Sequence, residues 1–275
     1  MISFPSAKIN IGLNVIEKRS DGFHNIESVF YPVKLCDVLE VITNEKSVKG
    51  SAKLFASGIT IDGNNDDNLC IKAFNLLAKD FNLPAADIYL HKIIPTGAGL
   101  GGGSADAAFL IRLLNDKYKL GLDDEALCSY ASKVGSDCTF FIKNKSMYVE
   151  GRGEKLSEID LSLSGYKIWI IKPDFHMSTP EAYALIKASV PERKIIDIIK
   201  NDPVEKWKNN LVNAFEKAVS SKHPLINQIK DFFYSSGAVY SSMTGSGSAV
   251  YGLFKKLPEN KHPFNNVFSW RGELG

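Results

Sequence analysis

Pro95-Thr-Gly-Ala-Gly-Leu-Gly-Gly-Gly-Ser-Ala-Asp-Ala-Ala108 places five glycines in seven positions, directly after an apolar strand-like run and directly before a helical pattern. Glycine permits positive φ and lets a ligand approach the main chain, and the first turn of the following helix offers unpaired N–H groups and the positive end of its dipole. The order strand, glycines, helix N-terminus predicts a cradle for phosphate.

Working outward, residues 87–94 read as the strand feeding this loop. Residues 105–115 read as the helix leaving it, with Phe109, Leu110, Leu113 and Leu114 on its apolar side. Upstream, residues 44–68 are hairpin-like and end in Asp62-Gly-Asn-Asn-Asp-Asp-Asn68, whose Asn68 is placed to cap a helix over 69–81. Downstream, acidic residues open a helix over 123–134, Gly135-Ser-Asp137 breaks it, and Cys138-Thr-Phe-Phe-Ile142 and Met147-Tyr-Val149 read as short strands. Asp137 then stands on a corner from which a side chain projects into a cleft, although most corner aspartates are simply turn or cap residues.

Near the start, Ala7, Ile9, Ile11, Leu13 and Val15 alternate with Lys8, Asn10, Gly12 and Asn14, which predicts a half-buried strand. Its polar face carries a cation and two amides, more chemistry than a solvated edge requires, although a lone strand lysine is usually a surface residue. A turn through Asp21-Gly22 follows, with Phe23 and His24 beside it fit to stack and hydrogen-bond a flat ligand. Two strands are then expected over 26–41, interrupted at Pro32 and at Cys36-Asp37.

In the second half, residues 166–172 form a core strand. Ser178-Thr-Pro-Glu181 is a helix start with a capping box, carrying Tyr183 near its beginning. Helices are expected over 195–200, 204–220 and 225–234; in the long one Val204, Trp207, Leu211, Phe215 and Ala218 form a packing stripe without chemical role. Residues 239–243 and 249–254 then flank the loop Thr244-Gly-Ser-Gly-Ser248 as strands. With its β-rich first half and helix-rich second half, the arrangement is α+β.

The 275 residues, 44% of them hydrophobic, suffice for two domains. With 33 Lys and Arg against 31 Asp and Glu, the net charge of +2 gives no case for nucleic acid or a membrane surface as the main partner. Cys36, Cys70, Cys128 and Cys138 form no C-x-x-C pair, and there is no cationic apolar leader. Free thiols and a cytoplasmic location are therefore expected.

Two common phosphate loops are excluded. Gly97, Gly99 and Gly102 satisfy G-x-G-x-x-G, but the acidic residue a dinucleotide fold needs about 20 residues on would fall near 121–124, at a helix start. A Walker loop fails because no Gly-Lys-Ser/Thr closes the motif.

A third kind of loop fits. Residues 95–104 resemble the phosphate loop of the GHMP kinases, Pro5-Ser-Ala-Lys-Ile-Asn10 resembles that family's first motif, and residues 244–248 its third. Arg19-Ser-Asp-Gly-Phe-His24 and Gly135-Ser-Asp137 most resemble the branch acting on 4-diphosphocytidyl-2-C-methyl-D-erythritol. The resemblance implies a two-domain α+β GHMP kinase fold. Residues 1–155 would form a β-rich ATP-binding domain with a left-handed βαβ crossover, and residues 156–275 a ferredoxin-like domain whose last residues are free to pack on the first. It also implies ATP-dependent phosphorylation of the substrate's C2 hydroxyl, with Mg²⁺ and Ser104 as a ligand to it.

Lys8 and Asp137 match the catalytic pair. Asn68, Lys92, Pro95, Thr96, Gly97, Ala98, Gly99, Leu100, Gly101, Gly102, Gly103, Ser104 and Ala105 match the ATP side; Asn10, Phe23, His24, Phe30, Thr179 and Tyr183 match the substrate side. Phe23, Tyr183 and Asp106 depart from the family pattern without removing a chemical role. Rival readings are a GHMP kinase for a smaller alcohol, which has no use for Phe23 and His24, and a non-catalytic nucleotide-binding regulator, which has no need of Lys8 and Asp137. The sequence sets no oligomeric state.

Overall fold

A computed structural model describes residues 1–61 and 63–275. Asp62, the first residue of the polar stretch before the cap at Asn68, lies outside the described residues. The chain divides into two compact units: Met1–Ala7, Leu35–Thr96 and Gly101–Lys145 form the first, and Lys8–Lys34, Gly97–Leu100 and Ser146–Gly275 the second.

In the first unit, β1 (Ile2–Ser3), β4 (Val38–Thr43), β6 (Ala86–Lys92) and β5 (Ala52–Gly58) make a sheet in that order. β5 and β6 are parallel and joined through α1 (Leu69–Asp80), a βαβ unit, while β4 runs antiparallel to β6. As expected, Asn68 caps α1, accepting the Cys70 N–H at 2.9 Å. α2 (Gly102–Tyr118) begins three residues before the position the periodicity indicates. Its glycines are helix, not loop: a Cβ at Gly102 would come 2.9 Å from Ile94 Cγ2, so the helix start packs directly on the strand exit.

α3 (Asp124–Val134) is as expected, but Cys138-Thr-Phe-Phe-Ile142 is not a strand. It forms α4 (Cys138–Lys143), packed against α2 and α3 with Cys138, Phe140, Phe141 and Ile142 buried. A short, largely apolar run has too little period to tell strand from helix, and the neighbouring helices decide it.

In the second unit, β2 (Ser6–Lys18), β3 (His24–Cys36), β7 (Met147–Gly151) and β8 (Lys155–Glu158) form one sheet in that order. β3 runs unbroken through Pro32. Its register with β7 ends at Phe30, so the missing proline N–H takes nothing from that ladder, and the break comes only at Asp37. β2 departs from the half-buried expectation, since Lys8 and Asn10 are as buried as Ile9 and Ile11. Both its faces are covered.

The second sheet of this unit has the order β10 (Tyr240–Met243), β11 (Val250–Phe254), β9 (Lys167–Pro173), β12 (Val267–Glu273), all antiparallel. In chain order this is the 4-1-3-2 arrangement of a ferredoxin-like split βαβ, with no helix in the described residues 255–266. β12 pairs with β9 along all its length, which builds the last residues into this sheet. α5 (Thr179–Ala184), α6 (Ile195–Asn201), α7 (Trp207–Asn210), α8 (Glu216–Lys222) and α9 (Leu225–Ser235) lie between β9 and β10. Leu13, Val15, Trp169, Phe215, Ile229, Phe233 and Val250 belong to one buried cluster.

The helix expected over 204–220 is broken. After α7 the chain runs extended, Leu13 N–H bonding Val212 O at 2.9 Å and Ala214 N–H bonding Leu13 O at 2.8 Å, before α8 begins. Trp207, Leu211 and Phe215 are buried as the stripe requires, but β2 supplies the backbone partners that a continuous helix would have supplied itself.

Candidate active site

Gly97, Gly99 and Gly101 take φ of 59°, 76° and 73°, alternating with buried Ala98 and Leu100. Such alternation of left-handed residues gathers successive N–H groups on one side and makes an anion-binding concavity. The carbonyls are held from the protein side within the second unit. Ala98 O accepts the Ala249 N–H at 3.1 Å, Leu100 O the Lys8 N–H at 2.9 Å, and Gly99 O the Thr244 hydroxyl at 3.0 Å. Gly99 has no room for a side chain: a Cβ there would overlap the Thr244 carbonyl.

The same unit joins this loop to Lys8. The Lys8 ammonium, 4% exposed, donates to Asn10 Oδ1 at 2.6 Å and lies 4.5 Å over the Phe30 ring. Asn10 Oδ1 is also within 3.2 Å of the Thr244 hydroxyl, which accepts the Asn10 N–H at 3.0 Å. Asn10 Nδ2 donates to Ser28 Oγ at 2.9 Å. Asn10 is thus a buried hub that orients Lys8, with both ends of its amide engaged. Two of the three motifs, remote in sequence, meet here through side chains, because a buried polar group needs its partners inside the protein.

Asn213 lies within the residues whose periodicity predicts a helix, which hides it in the sequence. Its amide donates to Met243 O and Gly245 O, at 2.8 and 2.9 Å, and pins the third motif. The extended backbone that puts it there has no local sequence signal.

Phe23 is 54% exposed, with the Arg152 guanidinium 4.9 Å over its ring. His24 stacks on Tyr183 at 4.6 Å and 19°, and Tyr183 meets Phe215 edge-on. The capping box of Ser178 and Glu181 fixes the helix that carries Tyr183, and Thr179 Oγ1 lies 3.4 Å from Ser246 Oγ. Phe23 and His24 are adjacent in the sequence, and the structure gives each a separate partner. Nothing in Gly151-Arg-Gly153 marks Arg152 in the sequence.

In the first unit two helix starts carry aspartates with different fates. Asp123 caps α3, accepting the Ala126 N–H at 2.8 Å. Asp137 opens α4 but makes no side-chain hydrogen bond to that helix, so its carboxylate is not used as a cap. Ser104, in the first turn of α2, bonds the Cys138 thiol, which burial pushes up to about 12. Cys36, Cys70, Cys128 and Cys138 are all free.

Lys92 is 2% exposed, and its ammonium is shared by Asp37 and by Asp106 Oδ2, the latter at 2.7 Å. Burial works against the Lys92 charge, but Asp106 and Asp37 together outweigh it and raise its pKa. One ammonium cannot fully compensate two buried carboxylates. Burial pushes Asp106 from 3.8 up to about 7, which Lys92 offsets only in part and Asp37 reinforces. A carboxyl whose pKa is raised by folding lends stability that is complete below its unfolded pKa and lost as pH rises through the folded one. Unfolding by urea should therefore show Asp106→Asn gaining on the wild type by ~2 kcal/mol between pH 5 and pH 8. A constant difference across that range would contradict this.

Among the described residues, no three or more His, Cys, Asp or Glu side chains are grouped to hold a metal ion, and no helix is long and apolar enough to cross a membrane.

Comparison with known proteins gives this arrangement its class. The models of the GHMP kinases' N-terminal and C-terminal domains match residues 68–145 and 197–262. The M. jannaschii mevalonate kinase structure shares the fold, with a TM-score of 0.69 at 14% identity, covering 100% of this chain and 98% of that one. The chain belongs to the GHMP kinase family, whose members use ATP. Within it, the similarity is to the 4-diphosphocytidyl-2-C-methyl-D-erythritol kinases. Those of Bacteroides fragilis and Bacteroides thetaiotaomicron are 50% and 51% identical to it, over 100% of both chains in each case. A crystal structure of 4-(cytidine 5'-diphospho)-2C-methyl-D-erythritol kinase superposes with a TM-score of 0.79 at 26% identity, covering 100% of this chain and 99% of that one.

Proposed function

We propose that this chain transfers the γ-phosphoryl group of ATP to the C2 hydroxyl of 4-diphosphocytidyl-2-C-methyl-D-erythritol, giving the 2-phosphate and ADP in non-mevalonate isoprenoid precursor synthesis. The observation that carries this reading is the full-length likeness to kinases named for that substrate. It is supported by the glycine loop and the buried Lys8 beside it.

Phosphoryl transfer through a loose transition state asks the protein mainly to place the acceptor in line and to neutralise charge. Residues 95–105 cradle the phosphates with backbone N–H groups and the start of α2, and Asn68 borders the nucleotide. Asp137 orients the C2 hydroxyl and accepts its proton. Lys8, aimed by Asn10 and lying over Phe30, supplies positive charge for the transferring group. Mg²⁺ would arrive with the nucleotide phosphates, with the Ser104 hydroxyl as a protein ligand, and supplies positive charge to the transferring group. Phe23, His24 and Tyr183 take the cytosine, and Thr179 lies on the acceptor side. We place the enzyme in the cytoplasm, in keeping with its four free cysteines.

ADP release with the cytidine diphosphate substrate, compared with homoserine and mevalonate, tests the assignment. Turnover is expected only with the first, and turnover with either small alcohol at a similar kcat/KM would overturn it. Within that reading, His24→Ala should raise KM for the cytidine substrate about tenfold and leave KM for ATP within about twofold, because one stacking and hydrogen-bonding group is lost. Equal changes in both would move His24 out of the base pocket.

A further inference from the structure

Asp37 is fully buried at the break between β3 and β4, where the sequence marks only an interruption between strands. Its N–H bonds the Pro5 carbonyl at 2.9 Å. One carboxylate oxygen accepts the backbone N–H groups of Ile93 and Ile94, at 2.5 and 2.8 Å, where the chain leaves β6; the other accepts from the Lys92 ammonium. That ammonium also holds Asp106 on α2, and it lies 3.2 Å from where a Cβ on Gly102 would stand. The exit from β6 and the entry into α2 are therefore fastened to one buried ion cluster.

Apolar side chains would fill such a space at lower desolvation cost. What the ions add is direction: charge-assisted bonds of fixed geometry aimed at particular backbone groups. We propose that Asp37 is a positioning residue for ATP, fixing through Lys92 and the two strand-exit amides the aim of the N–H groups at the start of α2. The inference rests on the reading of that loop and helix start as the phosphate site. It gives Lys92 its part in nucleotide binding from beneath the helix.

Asp37→Asn keeps an oxygen for the Ile93 and Ile94 amides but turns an NH₂ toward the Lys92 ammonium, which is left to Asp106 alone. Titration calorimetry with a non-hydrolysable ATP analogue should show affinity lowered at least about tenfold, with KM for the cytidine substrate within about twofold of wild type. A folded variant whose analogue affinity is within twofold of wild type, or in which both ligands weaken equally, would overturn the proposal. Should that variant not fold, the double variant Lys92→Met with Asp106→Asn leaves Asp37 its amides, removes the bridge, and is expected to give the same split. Analogue binding needs no acceptor. A wild-type chain that binds the analogue without phosphorylating the cytidine substrate would therefore sink the functional reading and leave this one standing.

Discussion

Asp137→Asn should lower kcat by on the order of 100-fold or more while KM for both substrates changes little. The asparagine is nearly isosteric and can still accept a hydrogen bond from the acceptor hydroxyl, but it cannot take that proton. Asp123 caps α3 through its side chain, whereas Asp137 opens α4 without a side-chain cap bond. Single-turnover kinetics with saturating ligands separates the outcomes: near wild-type phosphoryl transfer would remove Asp137 from the chemistry, and a loss confined to KM would make it a binding residue only.

Gly99→Ala should be the most damaging change in the loop. The residue sits at φ of 76°, where an L side chain costs about 1–2 kcal/mol. The added Cβ would also overlap the Thr244 carbonyl, part of a backbone held by Asn213 through its neighbours, so it cannot swing aside like a flexible side chain. A destabilisation of about 3 kcal/mol or more is expected, together with loss of nucleotide binding. Gly103→Ala provides the contrast. It lies in the helix, its Cβ would meet only Leu69 Cδ1 at 3.9 Å, and helix propensity favours alanine there by up to ~1 kcal/mol. Urea unfolding of the two variants should therefore move in opposite directions. Similar midpoints would mean that the close approach at Gly99 does not constrain the loop.

Much of the architecture was legible locally. The cap at Asn68, the capping box at Ser178 and Glu181, and the regular helices at α1, α3 and α9 all stand where pattern and capping chemistry put them. The errors share one cause. Cys138-Thr-Phe-Phe-Ile142 has no periodicity to read, and residues 211–213 have helical periodicity but strand-like backbone. In both, backbone conformation follows from which element packs alongside, and that information is absent from a local window.

The candidate site divides in the same way. By itself the sequence determined the class of chemistry: glycines whose spacing suits a backbone anion site, a lysine and an aspartate in motifs on either side of it, and aromatics fit for a base. These depend on residue type and near neighbours in the chain. The tertiary structure alone decided that Asn10 is an orienting hub rather than an open amide, that Asp37 and Lys92 share a buried ion cluster beneath α2, that Asn213 holds the third motif, and that Arg152 lies over Phe23. The physical reason is desolvation. A polar group acquires its role when it is buried against particular partners, and those partners come from strands and loops tens to hundreds of residues away.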